Sequence, residues 1–334
     1  MLRASPLNKA LNDYEELMKL IFPFFLPEQV AEKDSALEWL TNLLNKRALC
    51  RGLQPEDSIQ IDFYYADEAP SIIKTYTGSK TGEGLRVGSD ESLLEFTLIS
   101  KTGYEECSFF GKRHPFENEF LHYVNDVLLS LLIACPGGGV NHGVFEVVDG
   151  IAWQKSQPYY ELLSDVGDKA WTLTWPNPSI LDPYEVLEWL NNIKGFDLGC
   201  PEGQVGRAVS AFTQFAFANS ELKFVWCLVG LEALYGRDQG GKTEQLLKKS
   251  ELLLGERKSD KRALNSLYNF RSRLLHGDVN FPLAYSQWDG VDGTDKFYTD
   301  VWKAEDLAVA VLWCSLQQLV VRKKSELNFR YEII

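Results

Sequence analysis

The stretch Phe224-Val-Trp-Cys-Leu-Val-Gly-Leu-Glu-Ala-Leu-Tyr-Gly236 carries one charge in thirteen residues, Glu232. It holds strong helix formers and few β-branched residues, so it reads as a helix. A helix apolar on nearly every side is a buried one. A carboxylate on such a helix is removed from water and needs a cationic partner or a proton. The segment Asp260–His276 supplies the partner. Its apolar stripe runs Leu264, Leu267, Leu274 and Leu275, and Arg271 falls inside that stripe, which makes Glu232 its natural mate. Taken alone, the two charges predict a structural ion pair.

Outward from these two helices, the C-terminal half keeps one character. Tyr184–Ile193, Gly203–Asn219, Glu221–Tyr235, Lys242–Leu254, Asp260–His276 and Val301–Lys324 all show helical periodicity. They predict a helical bundle over residues 181–334. Pro176, Pro178 and Pro183 mark a linker ahead of it. Residues 1–180 are mixed. Residues 4–46 read as helical through Leu11, Tyr14, Leu17 and Met18, with a break at Pro23 and Pro27 before a second helix, Ser35–Asn45. Strands are expected over Ser58–Tyr65, Leu93–Ser100, Glu106–Gly111, Val144–Gln154 and Ala170–Trp175, with a helix over Phe116–Cys135. The fold class predicted is an α+β N-terminal domain followed by an all-α bundle.

Apolar residues at 45% and aromatics at 13% of 334 residues exclude intrinsic disorder. With 47 acidic against 34 basic residues the net charge is −13, which excludes a protein that coats nucleic acid with its whole surface. The charge is unevenly spread. Residues 242–273 hold nine basic and four acidic side chains, a local +5, which leaves −18 on the rest. The basic members Lys248, Lys249, Lys258, Lys261 and Arg262 are the candidates for contact with the phosphates of a nucleic acid, should one bind. An ordinary solvated helix face of mixed Lys and Glu is the plainer account of the same run.

Six cysteines (Cys50, Cys107, Cys135, Cys200, Cys227, Cys314) lie far apart without a C-x-x-C pair. They predict reduced, mostly buried thiols and neither a zinc site nor a disulfide scaffold. His114, His122 and His142 are scattered, so no metal ligand set is predicted. The first residues lack the apolar core of a signal peptide. The apolar runs Val127–Cys135 and Leu307–Val321 fall short of the about 20 residues a bilayer requires, and the second holds Gln317 and Gln318. A cytoplasmic protein without a membrane segment is expected.

His276 stands at the end of its helix with Gly277 as the left-handed stop. The helix C-terminus favours its charged form and brings its protonation change toward neutral pH. At about 100° per residue Arg273 and His276 share a face, whereas Arg271 and His276 are roughly 140° apart. One helix does not easily aim Arg271 and His276 at one point. Two copies across a dimer axis could. For a lone histidine at a helix end, a solvated cap residue is the plain reading.

The helix ends Leu231-Glu-Ala-Leu-Tyr235 and Leu252-Leu-Leu-Gly255, followed by Tyr268-Asn-Phe-Arg-Ser-Arg-Leu-Leu-His-Gly277, give the region a resemblance to the Apea-like HEPN family of bacterial and archaeal helical domains. The resemblance covers about residues 184–325, with Val301–Lys324 in the place of the closing helix. It implies a metal-independent ribonuclease without cofactor, working on RNA as a homodimer in bacterial anti-phage or stress defence. Carried over, His276 of the Arg-x4-His motif is the acid–base group. Arg271 is the phosphate clamp or the anchor of the site, and Arg273 holds a flanking phosphate. Glu232 and Ser272 support them. The residue after Arg271 departs from the family pattern, which has Asn, Asp or His where Ser272 stands. The residues 1–180 would sit where the family carries a sensing or specificity domain. A non-catalytic HEPN module that binds RNA or a partner protein is the alternative.

One rival motif competes. Gly236-Arg-Asp-Gln-Gly-Gly-Lys242-Thr243 satisfies the phosphate-cradling G-x-x-x-x-G-K-[ST] pattern. That loop follows a strand in nucleotide-binding folds, and here the preceding run is helical in composition. A glycine-rich connection between helices is the plainer reading, with an NTPase behind it.

Overall fold

Strand pairing, and not helical periodicity, organises the first described stretch of the chain. The structure is a computed structural model that describes residues 14–25, 58–64, 92–101, 117–135, 139–140, 144–148, 151–156, 170, 173–217, 224–236, 242–257, 261–279 and 292–329. Its strands are β1 (Tyr14–Phe25), β2 (Ser58–Tyr64), β3 (Ser92–Lys101), β4 (Gly139–Val140), β5 (Val144–Val148) and β6 (Ile151–Ser156). They form an antiparallel sheet in the order β2-β3-β1-β5-β6, with β4 also on β1.

The helix expected from Tyr14 through Met18 is therefore corrected to strand β1. Met18, Leu20, Phe22 and Phe24 recur every second residue, and a short apolar run satisfies both periods until distant partners decide. Pro23 pairs with Leu93 of β3 on one side of this strand, and the other side carries β5 and β4. There β5 pairs with Lys19–Ile21 and β4 with Phe24–Phe25, and Pro23 lies between them. Expected strand Val144–Gln154 is two strands, β5 and β6, paired with each other. Leu173–Pro176 is a series of bends, not the strand expected there. The second helix Ser35–Asn45 and the strand Glu106–Gly111 lie outside the described residues.

The helices are α1 (Glu117–Ala134), α2 (Pro183–Asn191), α3 (Gly203–Phe217), α4 (Phe224–Tyr235), α5 (Lys242–Leu254), α6 (Lys261–Leu275) and α7 (Asp292–Val321). The chain divides into one compact unit of residues 1–129 and 139–158 and a second of residues 130–138 and 159–334. Among the described residues the second unit is all-helical. Pro183 opens α2 as its first helical residue, and Asp182 caps it by accepting from the Tyr184 amide at 2.8 Å.

Every residue of Ala308–Gln317 in α7 is buried, and α7 touches α2, α3, α4, α5 and α6. Phe297–Val321 is long and apolar enough to cross a membrane, yet most of that stretch is buried against its own bundle. Its polar groups are satisfied inside. Gln317 donates to the Ile133 carbonyl at 2.8 Å and the Ser179 carbonyl at 2.6 Å, and accepts from the Ser179 amide at 2.9 Å. Trp313 gives its indole N–H to the same Ile133 carbonyl at 3.2 Å, and Leu181 gives its amide to Ala134 at 3.0 Å. These bonds meet carbonyls that the end of α1 leaves without helical partners. Ser315 and Tyr235 share a bond of 2.6 Å, and burial pushes the Tyr235 hydroxyl well above its usual range. At the α4–α7 crossing Gly230 lets the helices approach closely; a Cβ there would stand 2.9 Å from Leu312 and 3.3 Å from Ala211.

Cys135, Cys227 and Cys314 are buried and Cys200 is exposed. Burial pushes the Cys135 thiol up to about 11 and the Cys314 thiol up to about 12. Two measurements check this interior. Gln317→Leu strands buried backbone groups and should lower unfolding stability by about 2 kcal/mol or more in urea denaturation; an unchanged midpoint would remove Gln317 as a core clamp. Alkylation of the native chain at neutral pH, mapped by mass spectrometry, should label Cys200 ahead of Cys135, Cys227 and Cys314.

Candidate functional site

The helix α6 has two faces. Leu267, Tyr268 and Leu274 are buried, while Asn265, Ser266, Asn269 and Arg273 are exposed. Arg271 turns toward α4, where its Nη2 stands 2.7 Å from Glu232 Oε1. The two side chains keep 26% and 20% of their exposure, so the pair sits at the edge of the core and not deep within it as the sequence suggested. Tyr268, one turn before Arg271, adjoins both charges. Burial first, and then the Glu232 carboxylate, push its hydroxyl well up, with Arg271 acting in the opposite sense. Tyr268 lay inside the motif, but only the fold shows its third place in this cluster.

The end of α6 is a Schellman motif. Gly277 has φ 78°, its amide donates to Leu274 at 3.2 Å, and the Asp278 amide donates to Arg273 at 2.7 Å. His276 is therefore the C-cap residue, and its amide donates to the Ser272 carbonyl at 3.0 Å. Its side chain is exposed, as are Leu275 at 54% and Arg273. The stripe expected to continue through Leu275 stops at Leu274, since Leu275, the last residue of the helix, is exposed. Thus one chain ties Arg271 to α4 and presents Arg273 and His276 outward at the helix end.

Arg273 also lines a cleft of about 620 Å³ bounded by Thr174, Trp175, Arg257, Ser266, Phe270 and Lys303, among others. Nothing in the sequence connected Lys303 or Trp175 with the motif, since both are distant along the chain. Arg257 had been only one positive charge among nine.

The candidates for RNA contact separate on inspection. Lys248 is exposed and pairs with Glu244 one turn away at 2.6 Å. Lys249 is corrected out of the group. It is 2% exposed, donates to the Tyr235 carbonyl at 2.9 Å and lies 5.3 Å from the Phe329 ring centre, so no phosphate on the surface reaches it. The backbone of Lys261 and Arg262 opens α6, whereas Lys258 lies outside the described residues. Ser272 is half-buried. Gly236 follows helix α4, so the strand that a phosphate-cradling loop needs before its first glycine is absent. Among the described residues no group of His, Cys, Asp and Glu could hold a metal ion; His122 is exposed, and His114 and His142 lie outside them.

Breaking the pair leaves a half-buried carboxylate without its cation. Arg271→Ala should therefore lower stability by about 2 kcal/mol, less than for a fully buried pair because water screens part of it. Thermal melting with Glu232→Gln and the double variant closes the cycle; additive losses would show that the two side chains are not coupled. Neither a family model, nor a curated protein, nor a solved structure matches the chain.

Proposed function

We propose that the chain is a metal-independent endoribonuclease of the HEPN type, acting on RNA as a cytoplasmic homodimer in bacterial anti-phage or stress defence. The observation that carries this reading is the arrangement on α6. Arg271 is fixed by Glu232 at 2.7 Å, and His276 stands exposed on the Schellman turn that closes the same helix. An anchored cation and a histidine with access to solvent are the two groups that in-line cleavage of RNA requires.

In that reaction the 2′-oxygen bonds to the neighbouring phosphorus as the bond to the 5′-oxygen breaks. His276 takes the 2′-hydroxyl proton or returns one to the leaving oxygen. Arg271 Nη2 is ion-paired with Glu232, and its other guanidinium nitrogens can face the phosphate. Two chains meeting at their α6 ends supply the second histidine and arginine. The sheet-bearing N-terminal part takes the role of an α+β sensing or specificity domain. No cofactor enters the chemistry.

A second reading is favoured by Ser272 after Arg271 and by the inward pairing of Arg271. It makes the chain a non-catalytic HEPN module that binds RNA or a partner protein. A phosphate-loop NTPase is disfavoured by helix α4 before Gly236. Purified full-length chain incubated with single-stranded RNA and a chelator decides between the first two. His276→Ala should slow cleavage by about 10²–10⁴-fold with unchanged melting. Equal cleavage by both proteins overturns the assignment, retention of uncut RNA by the wild type selects the binding module, and cleavage by a monomer sinks the shared site.

A further inference from the structure

Three cations from three separate parts of the bundle line one cleft. Arg257 follows α5, Arg273 lies on α6 and Lys303 on α7. Arg257 is held in place before any ligand arrives. It is 6% exposed, its Nε donates to Glu251 at 2.8 Å, and its guanidinium lies 5.4 Å from the Trp175 ring centre. Trp175 is anchored in turn by an indole N–H bond to the Gly255 carbonyl at 3.0 Å. Nη1 of Arg257 is buried and meets no acceptor among the described residues.

The other walls narrow the chemistry of an occupant. Trp175 and Phe270 contribute aromatic surface, and Asp300 and Asp306 contribute carboxylates from α7. A volume of about 620 Å³ suits a small-molecule site. The cations call for an anion, and the planar guanidinium fork of Arg can meet two oxygens of a phosphate. The aromatic rings favour a flat ring system beside them. The carboxylates accept hydrogen bonds, so the occupant should also carry hydroxyl or amino donors. An aliphatic amino acid meets the charges but offers no flat face, and an aromatic one offers a carboxylate where a phosphate would meet two cations with more oxygens. A ribonucleotide carries all three features in one molecule.

We infer that this cleft binds a ribonucleotide unit, its phosphate toward Arg273 and Lys303 and its base toward Trp175 and Phe270. The site stands on its own geometry and does not depend on His276 as an acid–base group. Because Arg257 and Trp175 are already fixed, ordering them costs little on binding. The unit can come as a free nucleotide or as one residue of an RNA strand.

Titration of the full-length His276→Ala chain with 5′-AMP, and separately with a labelled short oligouridylate, tests the inference without RNA being cut. Lys303→Glu reverses one cleft charge, and Ser266→Trp fills the cleft from an exposed position on α6. Each should weaken whichever probe binds by about tenfold. Arg207→Glu, on exposed α3 surface outside the cleft, should leave affinity as it was. Tight AMP with weak oligouridylate identifies a free nucleotide as the ligand, and the reverse identifies the strand. No binding of either probe at millimolar concentration, affinity indifferent to both substitutions, or inorganic phosphate competing as well as AMP would each overturn the inference. Cleavage that persists in His276→Ala would instead overturn His276 as the acid–base group, and the titration would then be read on uncut AMP alone.

Discussion

A helical stretch that is buried on every side can carry a polar group only where the surrounding chain is arranged to meet it, and Ala308–Gln317 of α7 imposes that condition on the bundle. Gln317 meets three backbone groups from the end of α1 and from Ser179, and Trp313 joins it on the Ile133 carbonyl. These bonds cannot form unless the segment before α2 runs past the C-terminal part of α7. The same interior fixes α4, whose Gly230 brings it close to Leu312 and whose Tyr235 hydroxyl bonds Ser315. With α4 in that place, Glu232 meets α6 at the position of Arg271. The motif helix is thus oriented by a chain of contacts that begins with an uncharged amide in the core.

That orientation assigns different duties to charges that stand two and five residues apart. Arg271 is held against α4, and its cost of ordering is already met in the folded chain. Arg273 and His276 extend from the last turn, where the Schellman hydrogen bonds use the backbone carbonyls of Arg273 and Leu274 and leave the side chains exposed. Loss of Arg271 therefore removes the partner of Glu232, whereas loss of the exposed His276 side chain breaks no such pair.

The bundle was legible because its signals are local. Leucine spacing and the Gly255 and Gly277 stops act within a turn or two of the residues they control, whereas Pro183, read as linker, is the first residue of α2. Glu232 and Arg271 could be matched because two charges on two apolar helices have few other partners. The misreadings come from interactions that sequence spacing does not contain. Tyr14–Phe25 became a strand through pairing with Ser92–Lys101 and Val144–Val148, and its run of Leu, Ile and Phe fits either period. Lys249 looked like surface charge, yet the Tyr235 carbonyl, Gln245 and the Phe329 ring draw its ammonium group into the interior. Lys303 entered no motif because its neighbours in space, Arg257 and Arg273, are far away along the chain.

These placements change what the local charge of +5 means. Of the nine basic residues in 242–273, Lys249 and Arg257 are buried, Arg271 is committed to Glu232, and exposed Lys248 is paired with Glu244. A count along the sequence therefore overstates the field that this segment projects into solvent. Arg273 is exposed and its neighbours differ: it shares a cleft with Lys303, a charge outside the segment altogether. Under the proposed RNA reading, a phosphate would be drawn to Arg273 and Lys303 in that cleft against a chain whose net charge is −13.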